Sequence, residues 1–284
     1  MMEINSRLTG RRGVCLPFTD FCEPLCANGD AEQELFEEVV EYGKQRKWKY
    51  IETRGWSEGF GDAGKALRCC EHILDLRCGE TAILKAFRNS TRRNITRAMK
   101  SGVTVGIENS LESTRAFYRL NGITRKSHGL PPQPWSFFEN VHTNILAQNQ
   151  GFIALARVSG RPVAGAVFFV MGAKAWYKYG ASDNTARGFR PNNLVIWESI
   201  KHCLNAGVEW LSLGKTLEEN QGLMQFKDGW GGERLVRFCQ RLDMHKGRFT
   251  RYPSKVFGVH NRVFSRMPMP ALRLVGSALY GHIG

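Results

Sequence analysis

The sequence predicts an α+β protein, and three observations carry that prediction. Residues 152–158, 162–170 and 174–179 are three β-rich runs joined by Ser159-Gly160-Arg161 and Met171-Gly172-Ala173. Both connections are short and contain glycine, as hairpins require, so the three runs form an antiparallel meander. A helix-strand-helix-strand succession follows over 191–242. The third observation is bulk: 284 residues at 42% hydrophobic content, with 17 Phe and 7 Trp, can bury a substantial core and are not mainly disordered.

The elements follow in chain order. Asp30 with Gln33 forms a capping box, and Leu35, Phe36, Val39 and Val40 share one face, which predicts a helix over 30–46. Residues 48–53 alternate as a strand, 55–64 is a glycine-rich break, and 72–76 is a second short strand, so 1–78 reads as a small α/β unit. A helix over 81–100 carries Leu84, Phe87, Ile95 and Ala98 on one side and Lys85, Arg88, Arg92, Arg93 and Lys100 on the other, without one acid. An all-basic face suits a phosphate-bearing partner such as RNA; the alternative is a plain exposed helix. A strand at 103–107 precedes a helix at 111–126 with Phe117, Leu120 and Ile123 inward. The loop after it gathers Arg125, Lys126, Ser127 and His128 ahead of Pro131 and Pro132. Residues 135–147 form a further helix, and the meander follows. The loop 182–190 leads into a helix over 191–205 with Pro191 at its first turn. A strand at 208–213, Gly214-Lys215-Thr216, a helix over 219–227 and a strand at 235–242 complete this region, 79–245.

Between that last helix and strand lies Phe226-Lys227-Asp228-Gly229-Trp230-Gly231-Gly232. Its glycines permit a sharp turn and a close approach of another backbone or ligand, and a lysine held there can serve as a fixed cation. The alternative is a solvated lysine at an ordinary turn. Tyr177 and Tyr179, two apart on a strand, are expected to share a face and to offer one hydroxyl to a site; the alternative is that they cap a core with solvated hydroxyls.

Forty Lys and Arg against 26 Asp and Glu give a formal charge of +14, which favours nucleic acid, anionic headgroups or phosphorylated substrates. The eight cysteines show no C-x-x-C pair and are expected as free thiols, and no metal site is expected, a zinc site from Cys69, Cys70, His72 and Cys78 lacking the usual paired spacing. The opening seven residues have no apolar core behind them, so no signal peptide is expected and the chain is assigned to the cytoplasm. No apolar run approaches the ~20 residues of a membrane-spanning helix. Residues 246–284 form a basic amphipathic tail in which Lys255, Arg262, Arg266 and Arg273 mix with Phe257, Phe264, Leu272, Val275, Leu279 and Tyr280. It either rests on anionic lipid at the inner face of the plasma membrane or packs back on the body.

Several motifs together resemble the FemABX-like branch of the GNAT N-acyltransferase superfamily, whose core has this same order of elements. They are the run from Arg88 to Ala98, Arg125 with His128-Gly129-Leu130-Pro131, Gly160-Arg161-Pro162-Val163-Ala164-Gly165, Tyr177-Lys178-Tyr179-Gly180-Ala181-Ser182, Arg190-Pro191-Asn192-Asn193-Leu194 with Trp197-Glu198, and Phe226-Lys227-x-Gly229-Trp230-Gly231. The nearest likeness is to FemAB-related proteins of exopolysaccharide and PEP-CTERM export systems. The resemblance implies one full GNAT-like lobe with a partial N-terminal second lobe, and transfer of an aminoacyl or acyl group to an amine of a cell-envelope or exopolysaccharide precursor, a sugar- or lipid-linked amine. It implies aminoacyl-tRNA as donor, with acyl-CoA the alternative, and no tightly bound cofactor. By the same likeness Lys227 serves the transfer chemistry and Arg125 contacts acceptor phosphate; Tyr177 and Tyr179 join Lys227 as catalytic candidates from their place on the strand, and His128, Arg92, Arg190, Asn192, Asn193, Phe226 and Trp230 join Arg125 as candidate substrate contacts.

Two departures matter. The family's first lobe begins well before the motif that reads Leu16-Pro17-Phe18-Thr19-Asp20 here, so part of that lobe is expected to be absent or replaced. Where CoA-dependent relatives hold pyrophosphate on backbone N–H groups at a helix start, this chain has Arg187-Gly188-Phe189-Arg190-Pro191, and Pro191 removes one donor. No Gly-x-Ser-x-Gly elbow is present; aminolysis of an ester needs alignment and charge stabilisation, not a nucleophilic side chain. The competing readings are a CoA-dependent N-acetyltransferase and a non-catalytic RNA- or membrane-binding module on the same fold.

Overall fold

The computed structural model describes residues 1–56, 62, 64–252 and 259–282. Elements run β1 (Met2–Ser6), β2 (Gly10–Val14), α1 (Gly29–Gln45), β3 (Tyr50–Trp56), β4 (Leu67–Asp75), α2 (Glu80–Ala86), α3 (Asn89–Lys100), β5 (Thr104–Glu108), α4 (Leu111–Ser127) and α5 (Trp135–Val141). Then come β6 (Gly151–Val158), β7 (Arg161–Met171), β8 (Lys174–Ser182), α6 (Pro191–Asn205), β9 (Trp210–Leu217), α7 (Gln221–Asp228), β10 (Glu233–Asp243), β11 (Arg248–Thr250), α8 (Val259–Arg266) and α9 (Met269–Tyr280). Part of the expected glycine-rich break (57–61 and 63), and Lys255 and Phe257 of the expected tail, lie outside the described residues.

Among the described residues all eleven strands join one sheet, in the order β1-β2-β3-β10-β4-β9-β8-β7-β6-β5, with β11 paired to β10. The meander β6-β7-β8 is antiparallel, as its turns require, and α6 then carries the chain across so that β9 pairs parallel to β8. The chain closes by inserting β10 between β3 and β4. The strand pairing therefore does not follow the 78/79 boundary: β3 and β4, from before residue 78, flank a strand from beyond residue 232.

One core joins α3, α6 and the strands through Phe87, Ile95, Phe168, Trp197, Ile200, Leu213 and Trp230, and a second lies under α4 and α5 around Phe117, Phe138, Leu146 and Ile153. A third packs α1 on β3 through Phe36, Trp48, Ile51 and Trp56.

Several local expectations need correction. The helix α1 is capped by Asn28, whose side chain accepts from the Ala31 N–H, instead of by an Asp30/Gln33 box. The expected helix over 81–100 is broken: Phe87 and Arg88 are extended, and the Arg88 N–H is spent on the Gly229 carbonyl at 3.0 Å. That tertiary bond ties the start of α3 to the end of α7, and the break leaves Ile83 buried and Leu84 exposed. The strands β1 and β2 were missed because their short sequences, MEINS and GRRGV, carry little apolar alternation; Arg12 is nevertheless buried, donating to the His282 carbonyl.

The tail's two described helices pack back on the body. Leu272 is fully buried, Tyr280 stacks on Phe18 with ring centroids 4.8 Å apart, and Asn261 donates to the Gly129 carbonyl at 2.9 Å. Gly129 sits at φ +65, and a Cβ there would stand 2.2 Å from the Asn261 carbonyl oxygen, so only glycine admits α8. Gly129→Ala is therefore expected to release the tail. Hydrogen exchange over 259–280 should rise sharply while β6–β8 stay protected; unchanged protection of α8 and α9 would show that docking does not depend on this contact.

Candidate active site

The site is built where two strands part. β8 and β9 pair only at Lys174↔Trp210, Ala175↔Leu211 and Trp176↔Ser212, although β8 runs on to Ser182 and β9 to Leu217. Beyond those three pairs the strands diverge around a cavity of about 390 Å³. Asp20, Thr124, His128, Tyr177, Lys178, Asn192, Lys215 and Lys227 line it.

Register explains which side chains reach the opening. Phe168 faces Tyr177 and Val167 faces Tyr179, so Lys178 is the extra residue of a β-bulge. The bulge overturns the expectation that the two tyrosines share a face. Tyr177 packs beside Phe168 on the α6 side, whereas Tyr179 packs against Phe137, Phe138 and Phe169 under α5. Tyr177 borders the cavity and its hydroxyl lies over Gly180; burial pushes it up to about 12. Tyr179 does not border the cavity, and burial raises it as well.

Lys227 is not the solvated turn lysine of the bland expectation. It sits in the last turn of α7, 3% exposed, and its Nζ donates to the Gly214 carbonyl at 2.8 Å and the Lys215 carbonyl at 3.2 Å. Burial lowers its pKa to about 8, against the pull of Asp20 and Glu71 toward the charged form. Two of the ammonium's three N–H donors are thereby engaged, leaving one for a ligand.

Asp20 enters the same opening from the loop after β2. Its Oδ2 accepts from the Lys215 N–H at 3.3 Å, and its Oδ1 stands 3.7 Å from the Lys178 Nζ. Gly214 makes this approach feasible: at φ +72, a Cβ there would lie 2.7 Å from Asp20 Oδ2. Lys178 is largely buried, and burial lowers its pKa while Asp20 opposes the shift. Lys215 lines the cavity and directs its Nζ at Cys239 Sγ, 3.1 Å away. A contact from Cys69 together with the charge of Lys215 lowers the Cys239 thiol below its ordinary range. The cavity thus holds Asp20 beside the Lys178 ammonium and within the electrostatic reach of Lys227, while the Lys215 ammonium turns to Cys239.

The residue after Lys227 fixes the end of α7. Asp228 meets His72 Nε2 at 2.9 Å, takes both its oxygens to Arg234 Nη2 at 2.5 and 2.6 Å, and stands 3.5 Å from Arg88. His72 is fully buried on β4, and its pKa is lowered by burial against the influence of Asp228. One carboxylate therefore joins β4, β10 and the start of α3 to the turn that carries Lys227.

The remaining sequence candidates divide. His128 and Asn192 border the cavity and are exposed. Arg125 does not border it: its guanidinium donates to the Pro131 carbonyl at 3.1 and 3.2 Å and closes the loop after α4. Phe226 and Trp230 are core groups, Trp230 being 1% exposed and packed edge-on against Phe87 at 4.9 Å. Arg190 adopts the left-handed conformation, exposed, ahead of α6, and Asn193 is buried in the first turn of that helix. Neither borders the cavity. Arg92 lies on α3 beside a separate shallow depression shared with Arg93, Arg97 and Lys100. Asp20, Thr124, Lys178 and Lys215 were missed. The available signals were a lone lysine between two strand tyrosines and an acid closing Leu16-Pro17-Phe18-Thr19.

Among the described residues no group of three or more His, Cys, Asp or Glu side chains is placed to hold a metal ion. The Cys69, Cys70, His72, Cys78 set is dispersed: Cys69 contacts Cys239, His72 contacts Asp228, and Cys78 is exposed and donates to the Asp75 carbonyl. No described helix is long and apolar enough to cross a membrane.

The acetyltransferase (GNAT) domain family matches residues 85–228, just over half of the chain. The lipid II:glycine glycyltransferase of Staphylococcus saprophyticus is 20% identical over 56% of this chain and 54% of its own length. That of Staphylococcus haemolyticus is 34% identical over 40% of this chain and 29% of its own. The chain thus spans about half the length of the first relative and less of the second. Among solved structures, the crystal structure of FemX superposes with a TM-score of 0.60 at 17% identity, covering 77% of this chain and 79% of that one. A tandem GNAT protein from the clavulanic acid biosynthesis pathway gives 0.52 at 12% identity, over 82% and 73%. Family match, relatives and fold agree, and the chain belongs to the acetyltransferase (GNAT) family, in its FemABX-like branch.

Proposed function

We propose that the chain transfers an aminoacyl group from an ester donor to the amine of a cell-envelope precursor, with the wedge between β8 and β9 as the reaction site. The observation that carries this reading is the buried ammonium of Lys227, held by two carbonyls and, among the described residues, with no carboxylate within bonding distance of it. A desolvated cation with one free N–H suits the oxyanion that forms when an amine attacks an ester carbonyl. In that step the C–N bond forms, the ester C–O bond breaks, and the proton lost by the amine ends on the departing hydroxyl. Asp20, across the wedge, holds the incoming amine and relays that proton. Tyr177, Lys178, Lys215 and His128 orient the two substrates.

The donor is aminoacyl-tRNA. Arg93, Arg97 and Lys100 on α3 have no acid partner among the described residues and form its phosphate contact, while Arg88 is turned to Asp228 and Arg92 to Asn89. The start of α6 supports an ester donor over acyl-CoA, since Pro191 supplies no N–H and Arg190 is left-handed there. The resemblance of the motifs to exopolysaccharide-associated proteins supports a sugar- or lipid-linked amine as acceptor. The docked tail leaves Val263 and Leu274 exposed, with Arg262 and Arg266 bordering a shallow depression, a face suited to peripheral contact with anionic lipid on the cytoplasmic side.

Three outcomes are expected. Incubation with charged tRNA and amine-bearing envelope precursors should give an amide product by mass spectrometry, and Lys227→Ala should slow its formation about a hundredfold, equivalent to roughly 3 kcal/mol. Because the ammonium form is needed, the rate should fall as pH rises through about 8; a flat alkaline limb, or full activity in the variant, would remove Lys227 from the chemistry. Binding of tRNA should weaken roughly twenty- to fortyfold from 50 to 200 mM salt, as about three phosphate contacts imply, and Arg93→Glu with Arg97→Glu should flatten that dependence. Binding indifferent to both would exclude α3.

The third outcome concerns stability. The folded protein holds the Lys227 proton less tightly than the unfolded chain, in which lysine titrates at 10.5, so stability rises with pH between about 8 and 10.5. Lys227→Met removes the buried charge and should stabilise the protein by about 2 kcal/mol at pH 7, the gain shrinking through pH 10 and vanishing only above 10.5. Chemical denaturation at the two pH values measures this. A destabilised Met variant would make the lysine a structural strut.

A further inference from the structure

A second cavity, of about 600 Å³, opens on the sheet beside the wedge. No residue lines both, but the two are built on the same strands and the same loop. Lys174 and Trp176 of β8, and Trp210 and Ser212 of β9, line the groove just before the point where those strands part. The loop after β2 contributes Asp20 to the wedge and Phe21 and Glu23 to the groove.

The groove's chemistry differs from the wedge's. Its floor is a built polar network: Glu71, 7% exposed, accepts from Ser212 Oγ at 2.7 Å and from Arg237 Nε at 3.1 Å and Nη2 at 3.0 Å. Arg237 continues to Glu23 and over the Phe21 ring. Trp176 and Trp210 are half-buried above this floor, and Arg77 braces Trp210 with its guanidinium 4.1 Å from the ring centroid. Neither indole N–H has a protein partner among the described residues, and neither Lys174 nor Glu233 has an ion pair there. Three glutamates against Lys174 and Arg237 make this a net acidic surface on a chain of charge +14. A phosphate-rich ligand is repelled here. The apolar C–H face of a pyranose ring fits an indole face, and planar carboxylate and guanidinium groups take adjacent hydroxyls in pairs.

We propose that this groove binds the pyranose rings of an uncharged or amine-bearing glycan that forms part of the acceptor. The glycan lies along β8 and β9 so that its amine passes over residues 20–23 into the wedge. This deepens the reading of the wedge as an aminoacyl-transfer site and rests on it for the direction of the amine.

The test is binding by the full chain of N-acetylglucosamine and glucosamine oligomers of two to four sugars, followed by tryptophan fluorescence and calorimetry. Saturable binding is expected to at least one oligomer, weakened tenfold or more by Trp176→Ala. Glu233→Lys, an exposed substitution that leaves the core intact, should weaken the glucosamine oligomers selectively and serves if Trp176→Ala does not fold. Absence of saturable binding across the set overturns the proposal, as does binding indifferent to both variants or displaced by tRNA. Transfer activity without glycan binding would remove the groove and leave the wedge; glycan binding by a chain inert in transfer would do the reverse.

Discussion

The parallel ladder between β8 and β9 stops after three residue pairs, and the rest of the site depends on that interruption. A continued ladder would fill the space with its own hydrogen bonds, and neither Asp20 nor Lys227 could reach it. Parted strands instead leave backbone groups that must be satisfied from elsewhere. Lys227 takes the Gly214 and Lys215 carbonyls, and Asp20 takes the Lys215 N–H. The bulge at Lys178 completes the parting by bringing its ammonium to the opening beside Tyr177 and sending Tyr179 to the other side.

Holding a lysine in such a place opposes stability, because burial favours its neutral form. The surroundings offset this. Phe87, Trp197 and Trp230 pack edge-on beneath α7, and Asp228 ties the helix end to three separate elements. The aromatic packing and the carboxylate clamp thus act on the residues either side of Lys227, so the ammonium is fixed by neighbours that do not themselves face the cavity.

Charge is distributed unevenly over this frame. The wedge is cationic, Arg93, Arg97 and Lys100 on α3 have no acid partner among the described residues, and the groove beside the wedge is net acidic. Two cationic surfaces and one net acidic surface thus draw ligands of opposite charge to different parts of the molecule. The tail helices close the loop after α4, which brings His128 to the cavity rim.

The sequence by itself determined the meander, the crossover helix and the family likeness, because hydrophobic period, hairpin glycines and local motifs are written in consecutive residues. It misread what depends on register and long-range contact. Tyr177 and Tyr179 part because a bulge, set by pairing with β7, shifts the alternation by one residue. Arg125 is drawn to a carbonyl six residues on, and Trp230 is taken into the core. Asp20 and Glu71 reach their sites from strands and loops far away in the chain, as does β10 in passing between β3 and β4. Only the tertiary structure decided those, since burial and hydrogen-bond partners are properties of the packed sheet and not of any segment alone.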